Sequence, residues 1–266
     1  MKHIGLFEGI GGFSLAARWM GWETIAWCEW NNYCQKILNQ HFKEAKGYGD
    51  ITKTDFTIYR GQCDIVTGGF PCQPYSETGL RKGKNDDRHL WPEMLRAIRE
   101  IQPKWIIGEN VPGILSWSKG MVVKEIKTDL ENEGFTLLPP INIPACAVNS
   151  PHKRERIWFI AYSSNNGFKG RNKELQEKRQ CRHDEKNSAT KLWATLPFKP
   201  DDLPAPRITG KDDGLPDRVD RIKALGNAIV PQVAYELFRV IELMEVEMLK
   251  YQPGDEVRCG VEKNNI

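Results

Sequence analysis

Several features are scarce in this 266-residue chain, and each scarcity removes a class of protein. No apolar stretch is long enough to span a bilayer, because Lys, Arg, Glu or Asp interrupts every candidate, so no membrane segment is expected. The first twenty residues have the outline of a signal peptide. Glu8 inside them, the lack of a small-residue cleavage site and the cluster Gly9, Gly11 and Gly12 argue against one, and a cytoplasmic protein is the expectation. The seven cysteines are odd in number and none forms a C-x-x-C pair, so zinc finds no support and reduced thiols are expected. There is no internal repeat. Net charge is only +3, too small to prove a polyanionic partner.

What is present is a globular balance, 40% hydrophobic and 27% charged, long enough for one full α/β domain plus a small appendage. The charge is unevenly spread. Between residues 163 and 187 lie seven basic side chains, among them Lys169, Arg171 and Lys173, against four acidic ones, a surplus equal to that of the whole chain.

Short apolar runs alternate with amphipathic stretches, the pattern of a Rossmann-like, mostly parallel sheet flanked by helices. Strands are expected at 3–7, 24–28, 64–68, 104–108 and 156–161, and helices at 14–20, 31–42, 90–101, 119–133 and 228–249. Trp158, Phe159 and Ile160 mark the last strand as buried on both faces. Asn31 suits a helix entry, Pro103 a stop and Gly134 a C-terminal cap. From 163 to about 207 the pattern dissolves into charge and then proline (Pro197, Pro200, Pro204, Pro206). The expected layout is therefore a core over 1–162, an insertion over 163–207, a return with a C-terminal helix over 208–250, and a polar tail over 251–266.

Four motifs carry chemistry. Phe7-Glu8-Gly9-Ile10-Gly11-Gly12-Phe13 lies between a strand and a helix, where glycines let backbone N–H groups approach a ligand at a helix N-terminus. Glu29, seventeen residues past Gly12 at the next strand end, suits ribose hydroxyls, and Asp50 in Tyr48-Gly49-Asp50-Ile51 suits an adenine edge. Together they point to an adenosine-containing cofactor, without separating a nicotinamide dinucleotide from S-adenosylmethionine. Next comes Gly68-Gly69-Phe70-Pro71-Cys72-Gln73-Pro74-Tyr75-Ser76. It holds a thiol between two stiffening prolines at the carboxyl edge of a sheet, a place for a nucleophile. Glu109-Asn110-Val111 closes another strand, and a carboxyl in a semi-enclosed pocket has its pKa raised. In His152-Lys153-Arg154-Glu155-Arg156, two arginines two apart at a strand start point to one face.

In this order the motifs resemble those of the DNA (cytosine-5) methyltransferases, from about His3 to Leu237, with Ala224-Leu225-Gly226-Asn227-Ala228 as the closing match. Pro-Cys followed by Glu-Asn-Val is highly specific to that family; the glycine motif is not. The resemblance implies S-adenosyl-L-methionine as cofactor, S-adenosyl-L-homocysteine as product, and no metal. It implies Phe7, Gly9, Gly11, Gly12, Glu29, Trp30, Asp50, Ile51, Pro71, Leu90, Asn227 and Ala228 around the cofactor. Cys72 would attack C6 of a cytosine flipped out of duplex DNA. Glu109 would act at N3, Arg156 at O2, and Arg154 would brace the site. Ser76 and the basic loop side chains Arg81, Lys82, Lys84 and Arg88 would meet DNA, as would the basic insertion.

Two departures stand out: Glu8 replaces a small residue of the first motif, and His152 stands where the family has Gln. The insertion, where the family carries its target-recognition region, is very short, which implies a short recognition sequence or a helper protein; a monomer is expected. Two other readings remain. One is the same reaction on transfer RNA, although that branch's Cys-Phe-Thr signature is absent. The other is a non-catalytic DNA-binding module, against which the intact Cys72, Glu109, Arg154 and Arg156 argue.

Overall fold

A computed structural model describes residues 1–71, 90–164 and 218–250. The expected architecture is found. Among the described residues, eight strands form one sheet: β1 (Lys2–Leu6), β2 (Glu23–Cys28), β3 (Lys46–Tyr48), β4 (Ile65–Gly68), β5 (Trp105–Asn110), β6 (Phe135–Leu137), β7 (Ile141–Pro144) and β8 (Glu155–Ser163). The order is β3-β2-β1-β4-β5-β8-β6, with β7 also pairing β8. Pairs among β1 to β5 are parallel, whereas β8 runs antiparallel to β5, β6 and β7. The strand order reverses between β1 and β4, and an open sheet offers its ligand crevice at the carboxyl ends of such a pair.

The α-helices among the described residues are α1 (Gly12–Trp19), α2 (Asn32–His41), α3 (Trp91–Ile101), α4 (Met121–Asn132), α5 (Arg218–Asn227) and α6 (Pro231–Lys250). Strand alternation divides the core into two layers. Ile4, Leu6, Val66, Ile106 and Phe159 face α3 and α4, packing with Met94, Ile98, Ile126 and Leu130. On the other face Ile65, Trp105, Ile107 and Trp158 pack with Phe13 and Ala16 of α1 and with Val233, Phe238 and Ile241 of α6. Each large side chain so buried contributes about 1.5–3 kcal/mol. β8 is buried along nearly its whole length, as its continuous apolar run requires.

The punctuation residues act as expected. Asn31 accepts hydrogen bonds from the N–H groups of Tyr33 and Cys34 and caps α2. α3 stops at Ile101, two residues before Pro103. Gly134 at φ 84° ends α4.

Four expectations need correction. β3, β6 and β7 were not anticipated; at three or four residues each they are too short to show a period. α4 starts at Met121 rather than at 119, because Ser118 and Lys119 hold positive φ. The helix expected from 228 starts at Pro231, and a separate helix, α5, precedes it. Finally, Arg154 lies outside β8 at φ 26°, so the two arginines do not share a strand face.

Candidate active site

The first strand end is built on left-handed backbone. Phe7 takes φ 51°, a conformation costing a non-glycine residue roughly 1–3 kcal/mol, and Gly9 and Gly11 follow at φ 59° and 94°. The helix that follows has Gly11 at its N-cap, which offers no side chain. Glu8 supplies the missing acceptor: the Ser14 N–H donates to its Oε1 at 2.8 Å. A carboxylate there also meets the positive end of the α1 dipole. This accounts for the residue's presence in the motif. Its chain folds back over β1, where a Cβ on Gly5 would come within 1.9 Å of Oε2. Burial raises the Glu8 pKa to about 7, against the Ser14 bond and with help from the Glu29 charge. Oε2 is buried with no hydrogen-bond partner.

Glu29 grips the same loop from the other side. Its Oε2 accepts from the Gly9 N–H at 2.8 Å and its Oε1 from the Asn31 N–H at 2.7 Å. Beside it Trp30 is 74% exposed, an apolar ring held out at a strand end. Around Gly9 a built Cβ would meet nothing within 4 Å. Asp50 caps the 3-10 turn Ile51–Lys53, accepting from the Thr52 N–H and Oγ1–H, bonds that hold its carboxyl below the usual range. Arg96 of α3 fastens that turn by donating to the carbonyls of Ile51 and Thr54. Open space at Gly9, an exposed indole and a carboxylate with spare lone pairs fit an adenosine group at this edge. Arg96 was not foreseen, since its helix reads as an ordinary amphipathic one.

The other side of the crevice is made by β4 and β5. Phe70 anchors its loop in the core, its ring 5.2 Å from that of Trp91. The side-chain amide of Asn110 donates to the Phe70 carbonyl at 3.1 Å. Asn110 belongs to the Glu109-Asn110-Val111 motif, whose residue types alone do not announce this tie. Pro71 and Leu90 flank a stretch outside the described residues. Cys72, Ser76, Arg81, Lys82, Lys84 and Arg88 lie in it, and Lys169, Arg171 and Lys173 fall in a second such stretch.

Glu109 projects from β5 over Gly69, where a Cβ would meet Oε2 at 3.2 Å, only three residues before Cys72. Arg156 Nε stands 2.7 Å from Glu109 Oε1. The pair is in contact without an aligned hydrogen bond, which leaves Oε1 a buried acceptor. Antiparallel pairing explains the meeting: Glu109 is opposite Trp158, so the side chain two residues earlier on β8 lies diagonal to it on the same face. Burial pushes the Glu109 pKa up, and the charges of Arg156 and Arg154 oppose but do not cancel that shift. Arg154 instead reaches the segment between α5 and α6, donating from Nη1 to the Gly226 carbonyl at 2.8 Å and from Nη2 to that of Ala228. Asn227 and Ala228 are thereby held beside the crevice.

The family model for C-5 cytosine-specific DNA methylases matches residues 1–213. The chain belongs to that family. It is 36% identical over 158 residues to the Type II methyltransferase M.Eco47II of Escherichia coli, covering 59% of this chain and 38% of that protein. It is 34% identical over 163 residues to the Type II methyltransferase M.HhaI of Haemophilus parahaemolyticus, covering 61% and 49%. Among solved structures, a candidate DNA modification methyltransferase encoded within an E. coli prophage superposes with a TM-score of 0.52 at 26% identity, covering 61% and 47%. The matched region spans about half, or less, of the length of these relatives. Among the described residues, no group of His, Cys, Asp and Glu could hold a metal ion, and no helix is long and apolar enough to cross a membrane.

Proposed function

We propose that this chain transfers a methyl group from S-adenosyl-L-methionine to C5 of cytosine in double-stranded DNA, with Cys72 bonding to C6 of a flipped-out base. The observation that carries this reading is Glu109: a buried carboxyl with a raised pKa, in contact with Arg156 and lying over the backbone that leads to Cys72. Burial shifts this carboxyl toward its protonated form, the form that can donate to a ring nitrogen, more than it would a surface glutamate.

Cytosine C5 is too weak a nucleophile to react unaided. The Cys72 thiolate adds to C6 while Glu109 gives its proton to N3, and the ring electrons collect at C5. After methylation a base removes the C5 proton, the C6–S bond breaks to release the thiolate and restore the C5–C6 double bond, and N3 returns its proton to Glu109. When bound, the cofactor supplies the methyl on a sulfonium. Gly9, Glu29 and Trp30 hold its adenosine part, with Asp50 and Ile51 beside the base. Arg156 restrains Glu109 and presents its guanidinium to the base oxygen. A free thiol has a pKa of about 8.5, and arginine charge brought close to it would favour its thiolate. The short insertion favours a short target or a helper protein that completes recognition.

Tritium transfer from labelled cofactor tests the reading, with duplex DNA and transfer RNA as parallel substrates. Label is expected in DNA only. A covalent adduct is expected on duplex containing 5-fluorocytosine and should vanish in Cys72→Ser; an adduct that persists in that variant removes Cys72 as the nucleophile.

A further inference from the structure

The segment between α5 and α6 is held from two sides. On one side Ile229 lies against Gly12, where a Cβ would come within 2.5 Å of Ile229 Cγ1, so the glycine loop and the returning chain are in direct contact. On the other side Arg154 spans the Gly226 and Ala228 carbonyls with its two terminal nitrogens. The first of these carbonyls belongs to the last turn of α5, where carbonyls carry the negative end of the helix dipole. Arg154 holds the left-handed φ of 26° just before β8 begins, a local cost that its neighbours must maintain. Arg154 stands two residues before Arg156, whose Nε lies 2.7 Å from Glu109 Oε1, and its own Nε is buried without a hydrogen-bond partner.

We propose that Arg154 is a positioning residue that latches the α5–α6 segment to the Glu109–Arg156 pair, so that the cofactor and base halves of the crevice assemble as one unit. The proposal rests on the methyltransferase reading above, which places Asn227 and Ala228 beside the cofactor. A planar guanidinium fork can bridge two carbonyls at once; an ammonium group satisfies one geometry at a time. Loosening the latch therefore weakens cofactor binding through Asn227 and Ala228, although the mutated group belongs to the base side. Binding linkage is reciprocal, so an occupied cofactor seat in turn steadies Glu109 and Arg156 through the same side chain.

The full chain tests this in four forms: wild type, Arg154→Lys, Arg154→Ala and Arg156→Lys. Cofactor affinity is measured by calorimetry and adduct formation on 5-fluorocytosine duplex at saturating cofactor. Arg154→Ala should lose at least tenfold in affinity and Arg154→Lys about three- to tenfold. Arg156→Lys should bind cofactor within twofold of wild type while forming adduct slowly. If Arg154→Ala does not fold, Arg154→Lys decides. Wild-type affinity in the Arg154 variants, or an equal affinity loss in Arg156→Lys, overturns the latch. Wild-type protein that binds no cofactor and forms no adduct overturns the functional reading instead. In that case amide hydrogen exchange over 224–230 decides the latch: faster exchange in Arg154→Lys supports it and unchanged exchange sinks it.

Discussion

On the parallel half of the sheet, the candidate cofactor edge is made mostly of backbone. The Gly9 and Asn31 amides donate to Glu29, the Ser14 amide donates to Glu8, and the Ile51 carbonyl accepts from Arg96, so charged side chains here fasten backbone. On the antiparallel half, β5 and β8 bring two charged side chains together directly, Arg156 Nε against Glu109 Oε1. The difference follows from geometry. Parallel strands deliver their carboxyl ends to one edge, each followed by a turn whose amides side chains can engage; antiparallel neighbours place side chains of distant sequence position on one face. Lesions on the first side should therefore alter binding, and lesions on the second should alter chemistry.

Glu109→Gln gives the largest expected effect. Loss of the proton donor should slow single-turnover methyl transfer by about 10²- to 10⁴-fold while cofactor affinity stays within a few-fold of wild type. A parallel collapse of affinity would erase the distinction between the halves.

Glu8 offers a test through pH. Its folded pKa of about 7 lies above the ordinary glutamate value of 4.5, so the native state binds the extra proton and stability falls as pH rises from about 4.5 to 7. The wild-type advantage over Glu8→Gln in unfolding free energy should shrink over that window by on the order of 3 kcal/mol, measured by denaturant titration at several pH values. His3 opposes this trend. Burial lowers its pKa to about 3, with its ring nitrogens bonded to Thr24 and Thr67, so its contribution is lost as pH falls below 6.5. Glu8→Gln should thus expose an acid-side loss of stability that Glu8 masks in the wild type.

Glu29→Ala removes the acceptor for two loop amides. Cofactor affinity should fall about 10- to 100-fold by calorimetry, with turnover at saturating cofactor nearly kept. The smallest effect is expected from Asn31→Ala, which deletes the α2 cap for about 1 kcal/mol of unfolding free energy and leaves adduct formation unaltered at saturating cofactor.

Much of this was legible in the chain before folding. Five strands followed from apolar runs, and helix limits followed from Asn31, Pro103 and Gly134, because such signals act within a few residues. The motifs at Phe7, Cys72, Glu109 and Arg154 announced themselves by residue type and spacing. Short edge strands did not, since three residues show no period, and neither did α5, whose pattern is weak. Arg96 and Asn110 were hidden for another reason: their partners Ile51, Thr54 and Phe70 lie 40 or more residues away.

Sequence alone determined the chemical inventory and the alternating α/β order, both consequences of local composition and periodicity. Tertiary structure decided which charges meet. Antiparallel register set Arg156 on Glu109, a single left-handed residue turned Arg154 toward Gly226 and Ala228, and a helix cap drew Glu8 under the glycine loop. Each of these depends on distances between segments far apart in the chain, which only packing of the whole sheet can fix.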